Sequence, residues 1–246
     1  MIVLCRKHSI NICLTGCKMK VLECMKIDEE NYNNITFIRI DPEDLYVTIK
    51  DIINSFSDMA WITKFDVGYA RNSFYKRADE TAKYLADKLS KEIDENIIKD
   101  SGEYVVSELA RKALISELKY LDVPLAELFK KKVVGNPGFD FYSANLEKII
   151  IFGEAKYDSN NNSYGRSMGQ VNRFIEQEKD ITDLNDIDKF FEIESLNKAN
   201  NGEKAYAIAF SSKDIQSKDL IKNIINNKYY KNLAMHKEVI YLAVNV

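Results

Sequence analysis

Apolar positions along this chain recur with two different periods, and the switches between them outline its elements. The segment Lys148-Ile149-Ile150-Ile151-Phe152-Gly153-Glu154-Ala155-Lys156 opens with a short β-branched run, which predicts a buried strand rather than a helix. Two further apolar runs, over 204–210 and 239–245, predict buried strands, and Thr36-Phe37-Ile38-Arg39-Ile40 predicts another. Helical spacing marks 77–94, where Ala78, Ala82, Leu85 and Leu89 form a stripe. It also marks 101–121, through Val106, Leu109, Ala110, Ala113, Leu114, Leu118 and Leu121. Asp41-Pro42-Glu43-Asp44 starts a helix, with Pro42 tolerated near its first turn. Asp158 to Ser163 is a polar loop, after which Met168, Val171, Phe174 and Ile175 point inward from a helix; 219–226 predicts one more.

From residue 101 onward the predicted order is helix, strand, strand, helix, strand, helix, strand. That order implies an α/β sandwich, a mixed β-sheet flanked by helices. Residues 1–75 read as a small N-terminal α+β accessory segment and 76–246 as the main domain.

The chemistry is concentrated in one hairpin. Side chains alternate along a strand, so Glu154 and Lys156 share a face. Gly138-Phe139-Asp140-Phe141 lies upstream, and a turn around Ser143-Ala144-Asn145 would set Asp140 beside Glu154. Two carboxylates, a backbone carbonyl (Ala155 is the candidate) and waters suit a hard cation such as Mg²⁺ or Mn²⁺. Such a cation acidifies a bound water and stabilises charge on a phosphate oxygen, while the Lys156 ammonium can orient that water or meet the developing charge. A second Glu-x-Lys, Glu117-Leu118-Lys119, lies in a helical stretch where positions two apart do not face each other, and reads as solvated surface. In the same helix Glu103 projects from the apolar face and Glu108 points largely opposite. A carboxylate at the end of a core-facing stripe suggests a site, although an acidic first turn also suits any helix dipole.

Composition limits the partners. The net charge is −3, from 35 basic and 38 acidic residues, which argues against tight DNA binding by this chain alone. Basic residues near the hairpin in sequence are Lys130, Lys131, Lys132, Lys148, Arg166 and Arg173, each readable as ordinary surface. Cys5, Cys13, Cys17 and Cys24 crowd the first 24 residues with His8, but no CxxC pair occurs, so buried thiols are the expectation over a zinc site. No apolar run reaches the ~20 residues of a membrane span, and the start is too short for a secretory signal; a cytoplasmic protein is expected.

Asp-x13-Glu-x-Lys on a hairpin resembles the PD-(D/E)XK nuclease superfamily. The resemblance implies a restriction-endonuclease-like core and a magnesium-dependent endonuclease (DNase). It also implies a Glu on the first core helix near the metal, for which Glu103 is the match, and a Gln near the phosphate at the start of the following helix, for which Gln170 is. Glu103 would then lie within about 6 Å of the Glu154 carboxylate. Gly102-Glu103, Gly138-x-Asp140, Gly153-Glu154-Ala155-Lys156, Gly169-Gln170 and the late Ala-Ile-Ala-Phe run are further similar to the nuclease subunit (HamA) of the Hachiman anti-phage defence system. That likeness implies a DNA substrate and restraint by a superfamily 2 helicase subunit (HamB-like). A catalytically inactive scaffold and an RNA-cleaving enzyme of the same fold remain open alternatives.

Overall fold

The structure is a computed structural model, and it describes residues 19–29, 31–94, 101–130 and 138–246. Six strands form one mixed sheet: β1 (Lys20–Glu29), β2 (Tyr32–Asp41), β3 (Phe141–Ala144), β4 (Ile150–Lys156), β5 (Ala205–Ser211) and β6 (Glu238–Val244). Their spatial order is β1-β2-β6-β5-β4-β3. The β2-β6, β6-β5 and β5-β4 pairs are parallel, and antiparallel hairpins close both edges.

The alternation of side chains divides the sheet into two faces of different relief. Along β5, Tyr206, Ile208 and Phe210 point to one side, together with Phe152, Val239 and Tyr241. Ala205, Ala207 and Ala209 point to the other, with Ile240, Leu242 and Ala155. The bulky face is covered by α5 (Tyr164–Glu176), α8 (Ser217–Ile225) and α9 (Tyr230–Ala234), with α6 (Lys179–Ile187) and α7 (Ile193–Asn200) completing that layer. The alanine face lets α3 (Gly102–Leu118) sink close to the sheet, with α1 (Leu45–Phe56) packed outside it and α2 (Gly68–Asp94) alongside α1. Each fully buried Phe or Ile side chain here contributes roughly 1.5–3 kcal/mol.

The predicted strands all form, most within a residue or two of their expected ends, although β2 begins four residues before Thr36. Several boundaries move. The 101–121 helix stops at Leu118, because Lys119 adopts a left-handed backbone (φ 60°) that caps it. The β3–β4 turn lies at 145–149 instead of around Ser143, with Lys148 at φ 62° and Asn145 accepting from the Glu147 and Ile149 amides. Helices α6 and α7 and strand β1 carry no sequence expectation.

The described part of the 1–75 segment does not stand apart from the rest. β2 pairs with β6 over Ile35 to Ile40, α1 packs on α3, and the expected boundary near residue 75 falls inside α2. The expected Glu117-Leu118-Lys119 surface is found, with Glu117 and Lys119 both exposed. Trp61 packs among Phe65, Phe74 and Phe190, in agreement with a structural role. Cys24 is half-buried on β1; Cys5, Cys13, Cys17 and His8 lie outside the described residues. Among the described residues no helix is long and apolar enough to cross a membrane.

Candidate active site

Strand β4 ends where the parallel strands emerge from the sheet, the edge at which α/β proteins place their ligands. Its last residues turn abruptly polar. Glu154 is 1% exposed and Lys156 closes the strand. The hairpin brings Asp140 alongside: the Asp140 amide donates to the Gly153 carbonyl at 2.8 Å, and the Ala155 amide donates to Asp140 Oδ2 at 2.8 Å. Gly153 is required here, because a Cβ at that position would stand 2.2 Å from the Phe141 ring. Further anchors hold Asp140 in register. Asp183 accepts from the Phe139 amide, Lys130 and the Tyr142 hydroxyl, and the Ala126 amide of α4 (Ala126–Phe129) donates to the Asp140 carbonyl. Ser167 of α5 donates to the Glu154 carbonyl at 3.3 Å.

The sequence-predicted residues gather around one ammonium. Lys156 Nζ lies 2.8 Å from Glu154 Oε1 and 3.3 Å from Glu103 Oε1. Glu103 sits at the rim, its side chain 45% exposed, at the N-terminus of α3 where Gly102 lies flat against the Tyr157 ring. Gln170 lines an open cavity of about 710 Å³ that also reaches Lys156. Asp140 and Glu103 share a smaller recess of about 90 Å³ with Tyr104 and Glu127, an acidic neighbour on α4 that sequence reasoning missed. Nothing in the local pattern around Glu127 marks it; only the docking of α4 on the hairpin brings it near.

Electrostatically the site is strained toward neutral carboxyls. Burial is the main force pushing Asp140 up to about 7; Lys156 and the Ala155 amide oppose the rise, and Glu103 and Glu127 add to it. Asp140 nonetheless keeps part of its surface open. Burial and the nearby Asp140 charge raise Glu154 well above the carboxylate range, although Lys156 pulls it back. Burial works against the Lys156 charge, but Glu154, Asp140 and Glu103 outweigh it and hold the ammonium protonated above its ordinary value. Tyr104, beside Glu127, is pushed up to about 12 by burial and then by that carboxylate.

Glu108 corrects an expectation. It is 1% exposed instead of facing solvent, since α3 is buried on its sheet side and again under α1. It pairs with Arg111 at 2.8 Å and Lys112 at 3.6 Å and accepts from Ser55 at 3.0 Å. Burial opposes its ionisation, yet these partners hold it below the ordinary carboxylate value. Glu108 is a structural ion pair away from Lys156. The nearby basic residues are mostly engaged: Lys130 with Asp183, Lys148 with Glu192 and Glu194, Arg166 with Asp158. Lys131 and Lys132 lie outside the described residues.

Among the described residues no three His, Cys, Asp or Glu side chains stand close enough to hold a metal ion between them. A hexahydrate-derived cation needs fewer: Mg²⁺ keeps several waters and binds through one or two carboxylates. Glu154 fits that demand. Of its two buried oxygens, Oε1 meets only the Lys156 ammonium and Oε2 has no hydrogen-bond donor. A buried carboxylate oxygen left without a donor is expensive unless something else coordinates it. No protein-family model, curated protein or solved structure matches this chain.

Proposed function

We propose that this protein is a metal-dependent nuclease that hydrolyses DNA phosphodiester bonds, built on a restriction-endonuclease-like core. One observation carries the reading: Asp140, Glu154 and Lys156 converge at the open end of β4, and of the two buried Glu154 oxygens Oε1 meets only the Lys156 ammonium while Oε2 has no donor. Asp140 and Glu154 would hold Mg²⁺ or Mn²⁺, with the Ala155 carbonyl and waters filling the remaining positions. When bound, the cation lowers the pKa of a water and offsets charge on the phosphate. Lys156, charged at neutral pH, then orients the attacking water or meets the charge developing on the phosphate oxygens. Glu103 would help hold the Lys156 ammonium, at 3.3 Å. Gln170 faces the cavity through which a phosphate would approach Lys156.

The regulatory half of the reading is an effector subunit of an anti-phage defence system, restrained by a superfamily 2 helicase. The acidic balance of the chain supports it, because a nuclease that borrows its partner's grip needs little DNA affinity of its own. Plasmid and linear DNA incubated with Mg²⁺ or Mn²⁺ test the chemistry. Cleavage should stop with chelator and with Lys156→Ala, while that variant keeps the wild-type circular dichroism spectrum. Wild-type cleavage by Lys156→Ala would remove the proposed role.

An inactive nuclease-fold module is the second reading, favoured by the lack of a three-carboxylate metal cluster among the described residues. Calorimetric titration with Mn²⁺ separates the two, since a scaffold has no need of binding that disappears in Glu154→Ala.

A further inference from the structure

An open cavity of about 710 Å³ runs from Lys156 along α5, and its lining has a composition the proposed cleavage chemistry does not require. Arg166, Gln170 and Arg173 follow one another at helical spacing on that side of α5. Gly165 and Gly169, one turn apart, both line it, and at Gly165 no side chain stands between a ligand and the helix backbone. A Cβ at Gly165 would meet only Asn227 Nδ2, at 3.7 Å, so the space above it is open. Across the cavity stands Tyr229, its ring edge against Gly169, where an added Cβ would be 3.1 Å away. The exposed Lys228 ammonium lies 4.8 Å from the Tyr229 ring centroid.

The charge is local and positive in a chain that is acidic overall. Arg166 and Arg173 face the space against one lining carboxylate, Glu176, which is already occupied by Asn172 at 2.7 Å, while Lys156 at its far end is balanced by Glu154 and Glu103. Arg166 is held at 3.1 Å by Asp158 at an exposed position, where such a pair is worth little and is easily exchanged for a phosphate. A basic groove with an aromatic platform is the combination that binds unpaired strands: cations follow the phosphates, and a ring offers its face to any base. Paired bases are stacked on one another inside a duplex and cannot offer a face to Tyr229.

We propose that this cavity is a binding track for single-stranded DNA. Arg166 and Arg173 take successive phosphates, Tyr229 stacks one base in place of the Lys228 ammonium, and the bare helix surface at Gly165 lets the strand lie close as it passes to Lys156. The proposal rests on the nuclease reading for what happens to the strand, and is independent of it for binding.

Fluorescence anisotropy tests it with the full chain in chelator, using a labelled oligothymidine of about a dozen nucleotides, within the span of known single-strand sites, and a duplex of equal length. The single strand should bind better than the duplex. Tyr229→Ala should weaken single-strand binding roughly tenfold, the loss of one base stack, and Tyr229→Phe should retain it. Gly165→Leu, whose Cβ would meet nothing closer than Asn227 Nδ2 at 3.7 Å, should weaken it as well. Two phosphate contacts give a salt slope of about −1.4, and Arg173→Ala should reduce its magnitude by about 0.7. Equal binding of duplex and single strand, no binding to either, or wild-type binding by Tyr229→Ala and Gly165→Leu each overturns the track. A chain that binds through these residues yet cleaves nothing with Mg²⁺ or Mn²⁺ loses the nuclease reading and keeps the track. Single-strand cleavage unaffected by all three substitutions does the reverse.

Discussion

Replacing Asp140 by Asn in metal-free protein should make the fold more stable at alkaline pH, the opposite of what deleting a hydrogen-bonded residue usually does. The reason is its raised titration. Asp140 moves from 3.8 to about 7 on folding, chiefly through burial. The folded chain therefore binds a proton that the unfolded chain has released, and between about pH 4 and pH 7 stability falls as pH rises. The full shift sets a ceiling of ~4 kcal/mol, and the part crossed between pH 5 and pH 8 comes to about 2–3 kcal/mol.

For a chain of this length 1 kcal/mol moves Tm by roughly 2–4 °C, so Asp140 alone should lower Tm by about 5–10 °C over that interval. Glu154, raised for the same reasons, adds to the wild-type slope in the same direction. Asn keeps the oxygen that accepts from the Ala155 amide and cannot ionise. Asp140→Asn should thus show a shallower fall of Tm with pH and exceed wild type at pH 8 in chelator. Adding Mg²⁺ should raise wild type at pH 8, by ~2.7 kcal/mol at a hundredfold excess over Kd, and leave the variant nearly unmoved. Differential scanning calorimetry at the two pH values, with chelator and with Mg²⁺, gives all four quantities. Equal pH slopes for the two proteins, or a variant less stable than wild type at pH 8, would refute the account of a carboxyl destabilised by burial.

Glu108→Ala should destabilise by about 3 kcal/mol, because it leaves the largely buried Arg111 with only the exposed Asp122 carboxylate, while metal binding at Glu154 stays intact; urea unfolding paired with Mn²⁺ titration checks both halves. Gly153→Ala should cost about 1–3 kcal/mol from the clash with Phe141, with part of the loss recovered in the double variant Gly153→Ala/Phe141→Leu. The helicase contact is expected to include residues 1–100, but a truncation at residue 60 would remove β1, β2 and α1 and with them one side of the sheet. Co-purification with the helicase should therefore be measured on the chain starting at Met19, and an undiminished complex would exclude the first 18 residues as the docking surface.

The parts of this fold that were legible in the sequence are those whose determinants are local. The β4 run, the β5 and β6 runs and the inward stripe of α5 each carry their period in a few consecutive residues, and all four elements form where the pattern puts them. What was not legible depends on residues far apart in the chain. β2 docks on β6 across some 200 positions, so nothing near Thr36 announces that the N-terminal segment belongs to the main sheet. Glu108 fails in a more instructive way. A helix with one apolar stripe predicts a solvated opposite face, and α3 would have one if the sheet beneath it were not paved with Ala205, Ala207 and Ala209. Those alanines let α3 sink until α1 covers its outer side, and Arg111, Lys112 and Ser55 then neutralise the carboxylate that the burial traps.

Glu154 shows the same burial with a different resolution, and the contrast is what separates scaffold from site. Both carboxylates are 1% exposed. Glu108 is held below the ordinary carboxylate value by a full set of partners, whereas Glu154 is pushed above it and keeps an oxygen that no donor reaches. A fold that wanted only stability would have completed the second set as it completed the first, or placed an apolar residue at the end of β4 to continue Ile150 and Phe152. The unmet demand at Glu154, with Asp140 and Lys156 within reach, is the strongest argument that this strand end exists to bind something the chain does not itself supply.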